Sequence, residues 1–252
     1  MANSDGWFGI KYPFFDLGID FMKSIFNELK RRFNSLYSKD YLNSIKGIIH
    51  VGANEGQEKD LYAFHQLKVL WVEPIPDTFD KLIENIRPYI NQHACRALLS
   101  DKDGQEVAFN IANNGGASSS MLDLGRHRDL WPKVEYTSQI NLTTITLETL
   151  LNENNISIND YQALSIDTQG TELLVLSGGK RILRKIKYVK VEVADFEAYT
   201  NCCTEKDLNN FMFKNGFRIL SRECFASKPD VGNYFDIVYK RMPFYKSLLS
   251  RV

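Results

Sequence analysis

The feature that most constrains this chain is an apolar run that ends in two closely spaced glycines. Ile48–Val51 has the composition of a buried strand, Gly52 and Gly56 follow, and residues 57–67 carry apolar side chains at helical spacing. A strand, a glycine turn and a helix open the first unit of nucleotide-binding α/β sheets, since glycines let the backbone approach a ligand at the helix N-terminus. The sequence therefore predicts an α/β sheet that binds a polar or anionic ligand at this turn.

An acidic residue follows the next predicted strand. Residues 69–72 are apolar, and Glu73 comes twenty-one positions after Gly52, where a ligand for ribose hydroxyls is expected in such sheets. The glycine spacing is not G-x-G-x-x-G, which favours an adenosine-bearing cofactor other than a dinucleotide. The alternative for Glu73 is a surface ion pair.

The rest of the chain mostly alternates strands and helices. Further strands are predicted at 94–99, 164–167, 188–193, 217–220 and 234–239, and helices at 76–87, 146–151, 171–183 and 204–215. The predicted fold class is α/β, with a Rossmann-like seven-stranded sheet whose last two strands form an antiparallel pair.

Residues 105–145 interrupt this alternation. Two β segments at 107–111 and 140–145 flank a polar run at 113–120, so we predict a β insertion here. A long polar insertion in a compact domain is usually functional, and the alternative is a flexible surface loop.

The two ends of the chain differ from this pattern. Residues 1–44 are predicted to form an N-terminal helical extension, 45–241 the main domain and 242–252 a C-terminal tail. A helix over 17–37 has an apolar stripe that suits a cap or lid on the sheet domain. Its alternatives are peripheral membrane contact and a homo-oligomer contact.

The composition limits which binding partners and which cellular compartment we expect for this protein. Lys plus Arg and Asp plus Glu both number 31, so no overall basic field favours nucleic acid. No apolar run reaches the ~20 residues that a transmembrane helix needs, and no signal peptide is recognised, so we expect a cytoplasmic protein. The four cysteines are expected to be free thiols, and no clustered His, Asp and Glu pattern predicts a metal site.

Four motifs taken together resemble those of one known family, the FkbM-type methyltransferases. The motifs are Val51–Gly56, Val72–Pro76, Ala117–Ser120 and Ile166–Leu173, in that order. The resemblance covers about residues 45–240, and its most specific part is the D-x-x-G-x-E-L-x-V-L-x-G block that starts at Asp167. It implies a class I methyltransferase architecture, S-adenosylmethionine as the cofactor and, in general, methylation of a hydroxyl oxygen.

The resemblance also implies roles for individual residues. Cofactor binding is assigned to Gly52, Ala53, Asn54, Gly56, Glu73, Asp101 and Asp167, and we place substrate binding at Ser119, Ser120, His127 and Glu172. Asp101 could equally be an ordinary turn residue, and Glu172 a carboxylate that stabilises the N-terminus of its helix.

Three acidic residues, Glu73, Asp167 and Glu192, lie at the ends of predicted strands, where ligands bind in open α/β sheets. A hydroxyl is a poor nucleophile at neutral pH, so a general base within hydrogen-bond reach would help methyl transfer. The catalytic candidates are His127 and Asp167. Asp167 could instead orient the acceptor hydroxyl or bind the cofactor amino group, and His127 could be an exposed loop residue.

The sequence thus predicts an S-adenosylmethionine-dependent O-methyltransferase for a sugar, a glycan or a secondary metabolite. Its acceptor pocket is expected to lie between residues 105–145 and the N-terminal helix. The alternatives are a non-catalytic cofactor-binding domain of the same fold and a methyltransferase for a lipid-linked or other small-molecule acceptor. The balanced charge disfavours a nucleic-acid methyltransferase.

Overall fold

The computed structural model describes residues 40–243 of the 252-residue chain. The predicted helix at 17–37 and most of the predicted tail at 242–252 lie outside the described residues. Within the described range, no helix is long and apolar enough to cross a membrane.

The described part of the chain contains ten strands and six α-helices. The strands are β1 (Gly47–Val51), β2 (Lys68–Val72), β3 (Gln92–Cys95), β4 (Leu98–Leu99), β5 (Glu106–Ala112), β6 (Tyr136–Ile145), β7 (Ala163–Ile166), β8 (Tyr188–Ala194), β9 (Phe217–Lys228) and β10 (Gly232–Arg241). The helices are α1 (Lys59–Phe64), α2 (Pro76–Ile86), α3 (His127–Leu130), α4 (Leu147–Glu153), α5 (Glu172–Gly178) and α6 (Glu205–Lys214).

Seven of these strands form the main sheet, in the order β3-β2-β1-β7-β8-β10-β9. Parallel pairing joins β3, β2, β1, β7 and β8, whereas β10 is antiparallel to both β8 and β9. The predicted α/β class and the seven-stranded sheet with a closing antiparallel pair are confirmed.

The central strands are apolar at successive positions because both faces of the sheet are covered. In β1, Ile49 and Val51 pack into the larger apolar core, while Ile48 packs into the core on the opposite face. A strand that is buried on both faces shows a continuous apolar run instead of an alternating one. This packing fixes the carboxyl ends of β2, β1, β7 and β8 along one edge, where a ligand can bind.

Two strands of the insertion, β5 and β6, form a second, three-stranded sheet with β4, in the order β4-β6-β5. β5 and β6 pair antiparallel, as expected of the two predicted β segments. The polar run between them folds back, because the backbones of Asn110 and Ser120 exchange hydrogen bonds of 2.8 and 3.2 Å. The polar run is therefore attached to β5.

Several predicted elements differ in extent from the structure; β9, for example, extends eight residues beyond the strand predicted at 217–220. The strand predicted at 94–99 is two strands, since β3 pairs with β2 whereas Leu98 and Leu99 pair with β6. Both segments are apolar, and the change of partner depends on long-range contacts that periodicity does not reveal. The helix predicted at 171–183 ends at Gly178, whose backbone lies so close to Ser100 that a Cβ would come within 2.1 Å of the Ser100 carbonyl oxygen.

Candidate active site

The glycine turn after β1 lies directly against the end of β7. Gly52 has a φ of +77°, and a Cβ at this position would lie 1.7 Å from the carbonyl oxygen of Asp167. Backbone conformation and space therefore both require glycine. The N–H groups of Gly52 and Ala53 donate to the Val72 carbonyl at 3.0 and 3.1 Å, which ties the turn to β2.

The strand register aligns Glu73, Asp167 and Glu192 in one row with the glycine turn. Val51 pairs with Val72 on one side and with Ile166 on the other, and Ile166 pairs with Val191. The residues that follow them, in sheet order, are Glu73, Gly52, Asp167 and Glu192.

A cavity, which we name the central cavity, opens at this edge of the sheet between the glycine turn and the insertion. One part of its wall is polar and another is apolar, which suits a ligand that combines charged groups with a flat ring. Its lining includes Gly52, Ala53, Asn54, Glu73, Ile75, Leu98, Phe109, Gly116, Ser119, Asp167 and Gln169.

Glu73 is a buried carboxyl group at the edge of the central cavity. Its Oε2 accepts the N–H of Asn54 at 2.9 Å and its Oε1 accepts the N–H of Ile75 at 3.0 Å. Burial raises the pKa of Glu73 to about 7, and the two hydrogen bonds oppose that rise. A carboxylate has about four acceptor positions, so each oxygen can accept a further donor.

The Asp167 carboxylate is oriented by the loop that follows it. Gln169 has a φ of +54°, which turns its side chain back so that Nε2 donates to Asp167 Oδ1 at 2.5 Å. The Tyr199 hydroxyl in turn donates to Gln169 Oε1 at 2.5 Å. Burial raises the pKa of Asp167 to about 6, whereas the hydrogen bond from Gln169 lowers it.

Glu172 holds the backbone of the same loop. Its buried Oε1 accepts the N–H groups of Thr168 and Gly170 at 3.1 and 2.9 Å. Burial raises its pKa to about 7. These contacts match the stabilising alternative that the sequence left open for Glu172, and its predicted contact with substrate stays a prediction.

The serine run of the insertion is attached to both β5 and the Asp167 loop. Ser119 Oγ accepts the N–H of Ala112 at 2.9 Å, and Ser120 Oγ donates to the carbonyl oxygen of Gln169 at 2.8 Å. These contacts hold the insertion over the central cavity. The predicted role of this segment in an acceptor pocket stays a prediction.

His127 is buried at the start of α3, behind the serine run. Its Nδ1 is hydrogen-bonded to the Tyr234 hydroxyl at 2.7 Å and its Nε2 to Ser118 Oγ at 3.2 Å. The ring also packs against Trp131 and Tyr199, with centroid distances of 4.6 and 4.9 Å. Burial lowers the pKa of His127 to about 4, so the ring is neutral at physiological pH.

The structure brings about half of the predicted site residues to the central cavity. Those that line it are Gly52, Ala53, Asn54, Glu73, Ser119 and Asp167. Those that do not are Gly56, Asp101, Ser120, His127 and Glu172.

The residues outside the lining have other neighbours. Gly56 packs against α2, where a Cβ would lie 2.7 Å from Leu82 Cδ1. Asp101 borders a separate surface groove with Gly178 and Lys180. The sequence analysis assigned no role to Gln169. Its position within the D-x-x-G block was the only feature of the sequence that could have indicated one. Across residues 40–243, no group of three or more His, Cys, Asp or Glu side chains is arranged to hold a metal ion.

The family follows from comparison with known proteins. The family model for the Methyltransferase FkbM domain matches residues 50–219, which are 170 of the 252 residues. The chain belongs to the FkbM methyltransferase family. The description of that family model, a methyltransferase domain, agrees with the methyl transfer that the sequence predicts.

Individual relatives share less of the sequence. The 2-O-methyltransferase NoeI from Sinorhizobium fredii is 26% identical over 162 residues, which are 60% of this chain and 65% of NoeI. Magnesium protoporphyrin IX methyltransferase (ChlM) from Synechocystis PCC 6803, solved with bound S-adenosylmethionine, is 9% identical with a TM-score of 0.44, over 94% of this chain and 87% of that one. Sp1610 from Streptococcus pneumoniae, solved in complex with S-adenosyl-L-methionine, is 13% identical with a TM-score of 0.45. The match covers 81% of this chain and 73% of that one.

Proposed function

We propose that this protein is an S-adenosylmethionine-dependent methyltransferase that acts on a hydroxyl oxygen of a sugar, a glycan or another hydroxyl-rich metabolite. The observation that carries the proposal is the Asp167 carboxylate, which lines the central cavity at a strand end beside the glycine turn. An alcohol is a poor nucleophile at neutral pH and needs such a group within reach. The name of the relative NoeI, a 2-O-methyltransferase, supports oxygen as the acceptor atom, and the polar insertion supports a hydroxyl-rich acceptor.

The residues of the central cavity fit S-adenosylmethionine. We assign its methionine part and sugar to the turn Gly52–Asn54, where the absence of a Cβ on Gly52 leaves the backbone open, and its ribose hydroxyls to the free acceptor positions of Glu73. The apolar side chains of Leu98 and Phe109 suit the adenine ring. When bound, the cofactor supplies a methyl group that is already activated by a sulfonium, so much of the catalysis is positioning.

Asp167 is the better placed of the two predicted bases. The Gln169 amide donates to Asp167 Oδ1, which leaves Oδ2 for the acceptor. Asp167 also lines the central cavity beside the glycine turn. His127 has hydrogen-bond partners at both ring nitrogens and lies outside the central cavity. A catalytic role for His127 therefore requires the insertion to open.

The cofactor assignment is tested by calorimetry with S-adenosylhomocysteine. We expect Glu73→Ala to weaken binding by about ten-fold or more, because hydrogen bonds to a charged group contribute roughly 1.5–3 kcal/mol. Glu84→Ala is the matched control, since Glu84 is an exposed glutamate on α2. Equal affinities for the two variants would refute the role of Glu73.

The acceptor is tested with S-adenosylmethionine that carries a labelled methyl group. The panel contains methyl glycosides of neutral sugars, simple alcohols, a lipid-linked sugar and duplex and single-stranded nucleic acid. We expect label in the glycosides, on oxygen. Label in nucleic acid alone would contradict the proposal, and S-adenosylhomocysteine binding without transfer to any acceptor would favour the non-catalytic alternative.

A further inference from the structure

A second, smaller cavity adjoins the central cavity on the far side of the Asp167 loop. We name it the acidic cavity, and it is lined by Asp167, Gln169, Glu172, Glu192, Tyr199 and Tyr234. Asp167 and Gln169 also line the central cavity. The two cavities therefore lie on either side of this loop and share Asp167 and Gln169 in their walls.

Glu192 differs from the other carboxylates around the site in having no partner. Glu73 and Glu172 accept backbone N–H groups, and Asp167 accepts the Gln169 amide. In the part of the chain that the structure describes, no hydrogen bond or ion pair reaches the Glu192 carboxylate. The neighbouring Lys190 Nζ forms its ion pair with Asp236 Oδ1, at 2.9 Å.

The strand register places Glu192 between two further acidic residues. Ile166 pairs with Val191, so Asp167 and Glu192 occupy the next position on neighbouring strands. On its other side, Glu192 pairs with Asp236 of β10. Titratable or charged groups from every adjoining element thus face Glu192: Asp167, Glu172, Lys190, Tyr199, Cys202, Cys203, Tyr234 and Asp236.

We propose that Glu192 is the general base of the methyl transfer and takes the proton of the acceptor hydroxyl, with Asp167 orienting that hydroxyl. The proposal rests on the O-methylation proposed above. As the acceptor oxygen bonds to the methyl carbon, the carbon–sulfur bond breaks and its electron pair goes to sulfur. The hydroxyl proton passes to a Glu192 oxygen, giving a neutral carboxylic acid that later returns the proton to water.

Electrostatics separates Glu192 from the two bases that the sequence suggested. Burial, and next the charges of Asp167 and Asp236, raise the pKa of Glu192 well above the ordinary range, while Lys190 opposes the rise. Asp167 and Glu192 therefore behave as a pair that shares a proton, as close carboxylates do. A base must be ionised to accept a proton, and a positive sulfonium bound beside this pair would favour the ionised form of Glu192.

The first test measures transfer and binding separately. We expect Glu192→Gln to lower kcat by about 10²- to 10⁴-fold, the usual contribution of a general base, and Glu192→Asp to recover part of that loss. Both variants should bind S-adenosylhomocysteine within about two-fold of the wild type in calorimetry, since a base acts on the acceptor. Glu153→Gln, at an exposed position on α4, is the matched control and should be unchanged.

A kcat of Glu192→Gln within about three-fold of the wild type would overturn the proposal. Equal loss of kcat and of S-adenosylhomocysteine affinity would do the same, because it would mark a structural or cofactor-binding role.

The second test needs neither an acceptor nor turnover. Carbon-13 NMR of labelled glutamate side chains should show a carboxyl that titrates above the ordinary glutamate range, is absent in Glu192→Gln and titrates at lower pH in Asp167→Asn. If no such carboxyl is lost in Glu192→Gln, the shared proton and the proposal fail. If the wild type methylates nothing in the acceptor panel, the O-methylation proposal fails instead, and this titration still decides whether Glu192 and Asp167 are coupled.

Discussion

At the scale of single residues, the burial of His127 should make the folded protein less stable as the pH falls. Burial lowers its pKa to about 4, from an ordinary value near 6.5. As the pH falls from about 6.5 to about 4, the unfolded chain therefore binds a proton at this residue before the folded protein does. The stability that the neutral ring contributes is complete above about pH 6.5 and is lost across this window.

A variant that cannot titrate isolates this contribution. Relative to His127→Gln, the free energy of unfolding of the wild type should fall by on the order of 2 kcal/mol between pH 7 and pH 4. Urea denaturation of both proteins at several pH values measures it. Parallel stability curves across this range would show that the ring is not held neutral.

The position of a site residue could be predicted from the sequence where the strand that precedes it determines that position. Glu73 and Asp167 each follow an apolar run, so their place at the carboxyl edge was visible in the sequence. The orientation of Asp167 was not visible, because it depends on a left-handed Gln169 and on Tyr199, thirty residues further along the chain. The burial of His127 likewise depends on the distant Tyr234.

At the scale of elements, the turn between β1 and α1 has little tolerance for change. We expect Gly52→Ala to lower the free energy of unfolding by more than about 3 kcal/mol, since left-handed strain adds to a clash with backbone atoms of β7. Gly104→Ala is the matched control. Gly104 has a φ of +74° with nothing within 4 Å of its Cβ position, so only the strain of roughly 1–2 kcal/mol applies.

Thermal or urea unfolding compares the two variants, and calorimetry with S-adenosylhomocysteine gives a second readout. Gly52→Ala should lose cofactor binding, whereas Gly104→Ala should keep it. If both variants are destabilised equally, the contact between the turn and the end of β7 does not constrain the fold.

The elements of the main sheet could be predicted because local periodicity determines them. β1, β2 and β7 are mostly apolar runs that are buried on both faces, and β8 alternates valines with Lys190 and Glu192, so both patterns are easy to recognise. The division between β3 and β4 could not be predicted, since it is set by pairing with β6, more than forty residues later. Local pattern thus predicts the elements, and long-range pairing decides where some of them end.

At the scale of the whole molecule, the fold gathers weakly ionised carboxyls around one site. Burial raises the pKa of Glu73 and Glu172 to about 7 and that of Asp167 to about 6, and it raises that of Glu192 as well. These residues come from separate strand ends and one helix, and the sheet order brings them together. Near neutral pH these carboxyls together are only partly ionised, so a nearby positive charge can release protons, because such a charge favours the ionised form.

The two forms of the cofactor should therefore differ in proton release. S-adenosylmethionine carries a positive sulfonium and S-adenosylhomocysteine does not, so near pH 6.5 the first should release more protons on binding, by up to about one per protein. Calorimetry in buffers of different ionisation enthalpy measures the number released. Asp167→Asn should reduce the difference, because it removes one of the titrating carboxyls and weakens the repulsion that keeps Glu192 protonated. Equal proton release with the two ligands would mean that the sulfonium binds away from this row of carboxyls, and the methyl group would then lie too far from Asp167 and Glu192 for either to act as the base.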